Sequence, residues 1–414
     1  MNNPFIFERP IEPDKFIGRK RELRRLLATI DRSGSLVVTG QPRIGKTSLL
    51  EKMLDDIALR SDDEGSLPIP ILMTSGHLAS DMSQSDFWNY VINFIAETLK
   101  ESLYEEATGS WWKLDRYFRS LDATGKRFVL VIDGAGWLLD NQKLGIPFWG
   151  GLRSLMAHHR ALGLIMFSRL RSSQIQEQIE KGQHMGSPMM NFALEIALAP
   201  FSYGETMQLI QNYTGENENL FTPKDKRIVW QLSGGYPFLV QLAASVIWEA
   251  RANGQSIAKD SYRYLKDVML EIAHPHFWDV WHHLSPTAQA IGLMVTLREI
   301  ATHRRYNTLD LDEALKTCEM DIRALKRTGL LLLNNHAPVL SSLSFGMWIL
   351  RTQVGSGMEI PQPEEWLRQN QKIFGPATRK QIDFLARSVG KVYTELRASI
   401  IDLGEALARA RFGL

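Results

Sequence analysis

The sequence predicts an α/β fold, with a parallel sheet flanked by helices in the first half and mainly helices in the second. Short apolar runs alternate with helical patterns up to about residue 200, an arrangement typical of a parallel sheet. One run, Arg127–Ile132, is almost wholly apolar, as expected for a strand that is buried on both faces. Beyond about residue 203 the apolar residues recur mainly at helical spacing.

The predicted strands are short and mostly apolar, and helical patterns lie between them. The strands are predicted over Ser35–Thr39, Ile69–Thr74, Arg127–Ile132, Gly163–Phe167 and Leu194–Leu198. The helices are predicted over Arg19–Ile30, Thr47–Ile57, Phe87–Leu99 and Leu152–Leu162. Because parallel strands need a crossover connection between them, this alternation favours one parallel sheet.

Length and composition indicate an ordinary globular protein. A chain of 414 residues is expected to form two or three domains. The formal net charge of +2 gives no general reason to expect nucleic acid or a membrane as a partner. A single cysteine, Cys318, excludes an intrachain disulfide and fits a reducing compartment. Since we find no signal-peptide pattern and no apolar run of membrane-spanning length, we expect a cytoplasmic protein without membrane contact.

The stretch Gly40–Thr47 has the most informative chemical pattern, G-x-x-x-x-G-K-[ST]. In such a loop, glycines let backbone N–H groups turn toward a phosphate chain, the lysine reaches the outer phosphates and the hydroxyl holds Mg²⁺. A predicted strand precedes the loop and a predicted helix follows it, which is the context that the motif requires. The residues predicted to bind a nucleotide here are Gly40, Pro42, Arg43, Ile44, Gly45, Lys46, Thr47 and Ser48.

Asp133 directly follows a predicted strand and is the second candidate residue of a metal site. An acid at the end of a buried strand holds Mg²⁺ together with the hydroxyl of the loop, here Thr47. NTP-hydrolysing enzymes usually place another acid next in the chain, but this sequence has Gly134. The substitution predicts slow or absent hydrolysis. The alternative is that Asp140, Glu51 or a neighbouring subunit supplies the missing acid.

Ser168 and Arg169 follow the predicted strand Gly163–Phe167. An arginine at the carboxyl end of a strand, beside a phosphate site, can bind the γ-phosphate and neutralise its charge. The alternative is an arginine on an exposed loop. On the first interpretation, the predicted catalytic residues are Lys46, Asp133 and Arg169.

The second half of the chain is predicted to contain two helical regions and a winged helix. Gly234–Pro237 separates two helical stretches, although a proline after glycines at a helix start is a weak signal by itself. Between about residues 280 and 350, helical patterns precede two apolar runs, Gly329–Leu333 and Val339–Leu343, an order typical of a winged helix. Gly355–Gln362 is predicted to be a linker, and Pro376–Ala410 one long helix with a heptad-like apolar stripe.

These patterns predict four parts: an α/β nucleotide domain over residues 1–202, a helical lid over 203–275, a winged helix over 276–354, and a linker with a C-terminal helix over 355–414. The C-terminal helix either packs on the winged helix or mediates association. A histidine cluster is interpreted as a domain-interface surface, because it has no obvious metal-ligand spacing. Its members are His274, His276, His282 and His283.

The motifs together resemble the STAND class of signal-transduction P-loop ATPases, with AAA-type and origin-recognition ATPases as wider relatives. The similarity covers roughly residues 14–350 and keeps the motif order of the class. Ile17, Gly18 and Arg19 resemble its N-terminal hydrophobic-Gly-Arg signature. The resemblance implies that this segment lies against the adenine.

Further matches follow in the same order. Gly40–Thr47 resembles the phosphate loop of the class, and Asp133 resembles its Walker B acid. Arg169 resembles its sensor arginine, and Pro237 resembles the proline of its GxP motif, which packs on the nucleotide base. Gly134 departs from the pattern, because relatives have a second acid there. This departure leaves nucleotide binding intact and puts hydrolysis in doubt.

The resemblance implies a switch that binds ATP or ADP with Mg²⁺. ATP would favour an open, self-associating form that regulates a separate effector, for example in a prokaryotic defence or signalling operon. The preference for adenine rests on the resemblance alone. The segments before about residue 16 and after about residue 355 are too short for an effector domain or a sensor repeat, so we expect separate protein partners.

Two other functions remain open at this point. The first is a DNA-associated ATPase of the origin-recognition or transposition-regulator kind, with the winged helix on DNA. Its candidate recognition helix, about Glu319–Thr328, mixes Arg323, Lys326 and Arg327 with acids, which is a poor footprint for DNA phosphates. The second is a scaffold that a nucleotide merely stabilises.

Overall fold

The computed structural model describes residues 2–61, 68–74, 82–100, 110–181, 188–215, 220–252, 267–303, 306–334, 337–354 and 375–384. Contacts divide the chain into two compact units. The α/β unit comprises Pro10–Gln41 and Gly45–Leu198. The helical unit comprises Met1–Arg9, Pro42–Ile44 and Ala199–Leu414.

The α/β unit is built on a parallel sheet, which confirms the predicted fold class of the core. In the described part of the chain this sheet has five strands in the order β2-β3-β4-β1-β5. Their bounds are β1 Ser35–Thr39, β2 Ile69–Met73, β3 Phe128–Asp133, β4 Leu162–Ser168 and β5 Leu194–Ala197. Thr39 lies opposite Ser168, and Asp133 lies opposite Phe167. The carboxyl ends of β1, β3 and β4 therefore meet at one edge of the sheet.

The helices of the α/β unit bury their apolar residues against this sheet. They are α1 Lys20–Ile30, α2 Lys46–Ser61, α3 Gln84–Leu99, α4 Trp111–Thr124, α5 Ala135–Asp140, α6 Ile146–His158 and α7 Ser172–Glu180. Large aromatic side chains fill the core: the ring of Phe87 lies 5.2 Å from that of Trp88 and 5.0 Å from that of Phe148. Edge-to-face pairs of this kind contribute about 0.5–1.5 kcal/mol each beyond the burial of their surface.

The prediction of a helix over Leu152–Leu162 is wrong at its end, because α6 ends at His158. His159 has an extended backbone, with φ −115° and ψ 132°. Its buried ring nitrogens lie 2.8 Å from a carboxylate oxygen of Asp122 and 3.0 Å from one of Asp115. Both acids come from α4, which is distant in the sequence. The tertiary pairing of this histidine therefore ends the helix.

The helical unit contains helices, a short antiparallel sheet and the N-terminal residues. Its helices are α8 Tyr203–Thr214, α9 Pro223–Ser233, α10 Pro237–Ala252, α11 with described residues 267–272, α12 His274–His282, α13 Pro286–His303, α14 Leu309–Thr317, α15 Glu319–Arg327, α16 Leu343–Ile349 and α17 with described residues 376–384. Its strands are β6 Leu331–Asn334 and β7 Ala337–Leu340, paired antiparallel. Three helices followed by this strand pair are the order predicted for a winged helix, which stays a prediction.

Side-chain caps explain where several helices of this unit begin. Ser202 and Glu205 form a capping box at the start of α8. Thr222 and Asp225 form another at the start of α9. In each box the two residues satisfy backbone N–H groups that have no partner inside the helix. Because the two residues of each box are only three positions apart, these helix starts are determined by the local sequence.

The N-terminal residues pack on helices α8 and α10. Phe5 is buried, and its ring stacks on Tyr213 with 5.6 Å between ring centroids. The amide of Asn3 donates a hydrogen bond of 2.8 Å to the hydroxyl of Ser245. These contacts tie residues that precede the α/β unit in sequence to the helical unit.

Only the start of the predicted C-terminal helix lies among the described residues. Residues 376–384 are helical, Ile382 is fully buried, and Gln381 accepts a 2.7 Å hydrogen bond from the backbone of Leu311. The rest of Pro376–Ala410 and the predicted linker Gly355–Gln362 lie outside the described residues. Across the described ranges, none of the helices combines the length and the apolar character that a membrane crossing needs.

Candidate functional site

The loop between β1 and α2 is the predicted phosphate-binding motif. Its first backbone N–H, that of Gly40, donates a 3.1 Å hydrogen bond to the carbonyl of Ser168 at the end of β4. Gly45 has a left-handed φ of +93°, and a Cβ built there would meet no atom within 4 Å. The loop therefore starts at the edge where three strands end, and open space lies beside its last glycine. A phosphate chain needs such space.

Lys46 is the first residue of α2, and its side chain returns over the loop. Its ammonium group donates hydrogen bonds of 2.8 Å to the carbonyl of Gly40 and 2.9 Å to that of Gln41. The positive charge is thus held at the loop by the loop's own backbone. Together with the N-terminal end of a 16-residue helix, it creates a positive field that favours an anion.

Thr47 and Asp133 meet beside the loop, as the predicted metal site requires. The hydroxyl of Thr47 donates a 3.2 Å hydrogen bond to a carboxylate oxygen of Asp133. Burial raises the pKa of Asp133, while the hydrogen bond from Thr47 and the charge of Lys46 act in the opposite direction. At neutral pH a cation at this carboxylate would offset the cost of its burial.

The donor set fits Mg²⁺. In the described ranges no group of three or more His, Cys, Asp and Glu side chains is placed to hold a metal ion. Mg²⁺ does not need such a group, because it usually binds one or two protein oxygens together with phosphate oxygens and water. The hydroxyl of Thr47 and the carboxylate of Asp133 are oxygen donors of that kind.

Two further residues lie near this pair. Glu51 is on α2, four residues after Thr47, and burial raises its pKa, which the negative charge of Asp133 raises further. Gly134 follows Asp133 with a left-handed backbone, φ 87° and ψ 45°, and precedes the first residue of α5. The position after Asp133 therefore has no acid, and the charge of Asp133 affects the pKa of another carboxyl group, that of Glu51.

Ser168 and Arg169 lie at the same edge of the sheet. Ser168 ends β4, is buried, and its hydroxyl accepts a 3.0 Å hydrogen bond from the backbone of Leu170. Arg169 follows directly and is exposed. The structure thus places Arg169 at the carboxyl end of β4, as predicted, while its contact with a γ-phosphate stays a prediction.

The predicted signature Ile17–Arg19 forms a sharp turn before α1. Gly18 and Arg19 both have left-handed backbones, with φ 76° and 54°. Arg19 is buried, and its carbonyl accepts the 2.9 Å hydrogen bond from Leu23 that opens the helix. Nearby in sequence, the N–H of Ile11 donates a 3.0 Å bond to the hydroxyl of Ser48, another predicted nucleotide-binding residue. The role of the signature toward adenine stays a prediction.

Comparison with known proteins identifies the family. The profile of the AAA-like domain matches residues 8–337, which is most of the chain. The chain belongs to the AAA-like family. No curated protein matches this AAA-like chain.

Several solved structures are similar to this AAA-like protein at low sequence identity. A Walker-type ATPase of Pyrococcus abyssi is 14% identical with a TM-score of 0.56, over 84% of this chain and 99% of its own. The ORC2 protein of Aeropyrum pernix, in ADPNP–ADP complexes, is 13% identical with a TM-score of 0.48, over 92% and 97%. The Holliday junction branch migration motor RuvB of Thermotoga maritima is 14% identical with a TM-score of 0.39, over 81% and 96%.

One contact of the AAA-like phosphate loop was not predicted from the sequence. Pro42, Arg43 and Ile44 belong to the helical unit. The hydroxyl of Tyr236 donates a 2.7 Å hydrogen bond to the carbonyl of Pro42, and the guanidinium of Arg43 lies 4.4 Å from the ring centre of Phe238. The feature of the sequence that could have predicted this contact is the pair of aromatic residues, Tyr236 and Phe238, on either side of Pro237.

The glycines of that motif explain why Tyr236 reaches the loop. Gly235 has φ +78°, and a Cβ there would lie 2.1 Å from the carbonyl oxygen of Phe201. The N–H of Phe201 in turn donates a 2.8 Å bond to the carbonyl of Gly235. This close packing fixes the turn that precedes α10. Pro237, the first residue of α10, is half-buried, and its predicted contact with the base stays a prediction.

The interpretation of the histidine cluster as a domain-interface surface stays a prediction, and the structure shows the surroundings of His274 and His276. His276 is buried, with its ring 5.1 Å from that of Tyr236 and 5.2 Å from that of Phe238. Burial, followed by the positive charge of Arg43, lowers the pKa of His276 to about 3. His274 instead accepts a 3.0 Å hydrogen bond from the indole of Trp348. His276 therefore serves internal packing of the helical unit, whereas His274 is exposed and pairs with a buried indole.

Proposed function

We propose that this AAA-like protein is an ATP-binding molecular switch of the STAND type that acts in the cytoplasm. The observation that supports the proposal most is the joint placement of Lys46 over the phosphate loop and of Thr47 against Asp133. These residues supply an ammonium group and a hydroxyl from the start of α2 and a carboxylate from the end of β3. A Mg²⁺–triphosphate group requires the same three donors.

Each residue has a defined part in the proposed site. Lys46 binds the outer phosphates, and Thr47 and Asp133 hold Mg²⁺ directly or through its water shell. When bound, Mg²⁺ neutralises charge that develops on the phosphate oxygens. Arg169 is proposed to sense the γ-phosphate from the end of β4. Because Gly134 takes the place of the usual second acid, we propose that hydrolysis is slow.

The resemblance suggests two elements that contact the base of the nucleotide. Ile17–Arg19 forms one of them, and the half-buried Pro237 forms the other. The sequence contains no N-K-x-D-like motif of the kind that binds guanine. The proposed nucleotide is therefore adenosine diphosphate or triphosphate.

A switch also needs a difference in affinity between two conformations. A nucleotide that bound both conformations equally would shift neither of them. We propose that the lid over residues 203–275 and the winged helix over 276–354 change position between the ADP and ATP states. The ATP state would self-associate and regulate a separate protein effector, in a defence or signalling role.

Binding of DNA by the second part of the chain is the weaker proposal. Helix α15, the candidate recognition helix, has acids Glu319 and Asp321 in its first turn. Arg323 forms an ion pair of 2.5 Å with Glu319, which reduces its value for a DNA phosphate. The charges of this helix therefore favour a protein contact over a phosphate backbone.

Removal of the lysine ammonium tests the proposal. Lys46→Ala should abolish binding of a fluorescent ATP analogue, because the outer phosphates lose their cation. Lys52→Ala is the matched control: it lies on the same helix, but its ammonium pairs with Asp55 and Asp56 at 2.9 Å each. Equal ATP binding by wild type and Lys46→Ala would contradict the assignment of the site.

Light scattering tests the switch itself. Wild-type protein should form larger assemblies with a non-hydrolysable ATP analogue and Mg²⁺ than with ADP and Mg²⁺. Identical scattering in both states, together with nucleotide-induced thermal stabilisation, would support the scaffold hypothesis instead. ATP-dependent DNA binding that weakens steeply with salt would support the DNA hypothesis.

A further inference from the structure

Arg43, in the middle of the phosphate loop, has a backbone conformation that residues with a side chain rarely adopt. Its φ is 59°, and that of Gly45, two positions later, is 93°. Left-handed residues in such a loop turn successive N–H groups toward one side, where they form a concave site for an anion. Glycine adopts this conformation without cost, whereas arginine does not. The surroundings of Arg43 must therefore hold its backbone in place.

Two aromatic side chains contact this part of the loop, and the contact clusters place them with Pro42 and Arg43 in the helical unit. The hydroxyl of Tyr236 donates a 2.7 Å hydrogen bond to the carbonyl of Pro42. The guanidinium of Arg43 lies 4.4 Å from the ring centre of Phe238. The first contact holds the peptide group before the Cα of Arg43, and the second holds its side chain. Because φ is the rotation that relates these two groups, the contacts together fix the left-handed conformation of Arg43.

Tyr236 and Phe238 are themselves held in place by their own unit. Both are 4% exposed, and the ring of His276 lies 5.1 Å from that of Tyr236 and 5.2 Å from that of Phe238. The turn before Tyr236 is closely packed as well, because a Cβ at Gly234 would lie 2.3 Å from the backbone of Ser341. The middle of the phosphate loop therefore takes its position from two fixed aromatic side chains.

We propose that Tyr236 and Phe238 are positioning residues of the nucleotide site, which act through Pro42 and Arg43 and hold the phosphate loop in its anion-binding form. The inference rests on the proposed binding of ATP or ADP to this loop. Backbone N–H groups of such a loop surround the α- and β-phosphates, which ATP and ADP share. Release of the loop should therefore weaken the binding of ADP and of ATP by the same factor.

Tyr236→Phe tests the hydrogen bond, because it keeps the buried ring beside His276 and removes only the hydroxyl. The affinities for ADP and for ATP, each with Mg²⁺ and measured by calorimetry, should both fall about fivefold, as expected for the loss of one neutral hydrogen bond. Tyr203→Phe is the matched control, because Tyr203 lies in the same unit but is 51% exposed. It should leave both affinities within about twofold of wild type.

A double-mutant cycle tests the contact between Arg43 and Phe238. Phe238→Leu should lower both affinities about fivefold, because the guanidinium loses the ring that holds it. Arg43→Gly removes the guanidinium and supplies a residue that adopts the left-handed conformation without cost. In that background Phe238→Leu should change the affinities by less than about twofold, since no side chain remains for the ring to hold. An equal loss in both backgrounds would show that Phe238 acts only through packing and would overturn the inference.

Urea denaturation of the nucleotide-free variants separates positioning from general stability. Because the ring of Phe238 is buried, Phe238→Leu should lower the urea midpoint in both backgrounds. Only its effect on nucleotide affinity should depend on Arg43. If Phe238→Leu does not fold, Tyr236→Phe, which keeps its ring, decides the question alone.

The outcomes distinguish this inference from the proposed function. If wild type binds ADP and ATP and Lys46→Ala does not, while Tyr236→Phe binds both as tightly as wild type, the inference is overturned and the proposed nucleotide site stands. A loss confined to ATP would also overturn the inference, because the effect would then depend on the γ-phosphate. If wild type binds neither nucleotide, both proposals fail.

Discussion

Two sets of polar groups, one in each unit of this protein, have opposite roles. In the α/β unit they converge at one edge of the sheet, where Asp133 accepts a hydrogen bond from Thr47 and burial raises the pKa of its carboxyl group. In the helical unit they are paired for stability: the hydroxyls of Ser342 and Ser344 donate hydrogen bonds of 2.7 and 2.6 Å to the carbonyl of Leu232. The first arrangement costs folding free energy and is suited to ligands, whereas the second holds helices together.

The largest effect should come from breaking a buried pair in the helical unit. Asp225 on α9 is 1% exposed and accepts hydrogen bonds of 3.0 and 2.8 Å from the guanidinium of Arg251 on α10. Asp225→Ala leaves that cation without its acid and removes a helix cap. The free energy of unfolding in urea should fall by about 3–5 kcal/mol.

An exposed ion pair in the same unit is the control. Glu319 and Arg323 are 68% and 61% exposed, so Glu319→Ala should change the free energy of unfolding by no more than about 0.5 kcal/mol. Similar decreases in the free energy of unfolding for Asp225→Ala and Glu319→Ala would show that burial does not determine how much these ion pairs stabilise the fold.

A smaller effect, on binding, should come from the α/β unit. Asp133→Asn removes a metal-binding charge, so the affinity for ATP with Mg²⁺ should drop about 10–100-fold in calorimetry. The nucleotide-free protein should unfold at no lower temperature than wild type. Because the fold raises the pKa of Asp133, its charge is unfavourable at pH 7. This cost decreases as pH falls through the folded pKa and is gone below the pKa of the unfolded chain. A marked loss of stability in Asp133→Asn would contradict this expectation, because it would show that the carboxylate of Asp133 stabilises the fold.

The third effect depends on pH and concerns His276. The fold lowers its pKa to about 3, so the unfolded chain takes up the proton first as pH falls. Its contribution to stability is complete above about pH 6.5 and decreases below it, by about 1.4 kcal/mol per pH unit.

His276→Phe, which keeps an aromatic ring among Tyr236 and Phe238, should reduce the loss of stability between pH 6.5 and 5.5 by about 1 kcal/mol, because the unfolded histidine is only partly protonated in this range. Urea denaturation at both pH values gives the comparison. His282→Gln is the control, since His282 is exposed and stacks on Trp278. An unchanged pH slope for His276→Phe would show that His276 is charged or hydrated in the folded protein.

The sequence was most informative where a local pattern determines structure. The strand β3 was predicted from its continuous apolar run, and the pairing of Thr47 with Asp133 followed from a motif and the geometry of parallel strands. The strand order was not predicted, because it depends on which crossovers pack together. Helices α4 and α7 were also missed.

Contacts between residues that are far apart in the sequence could not be predicted from sequence patterns. The bond from Tyr236 to Pro42 joins residues 194 positions apart, and no spacing rule connects them. The burial of His276 was missed for a similar reason: His274, His276, His282 and His283 look alike in the sequence. Their different surroundings arise from the packing of α10, α12 and α16.

The left-handed backbone of Gly134 restricts which residues could replace it during evolution. A side chain at a left-handed position typically costs about 1–2 kcal/mol. A lineage under pressure for faster ATP turnover could not simply exchange this glycine for an acid without losing stability. It would first have to reshape the start of α5, so the backbone conformation itself disfavours an acid at this position.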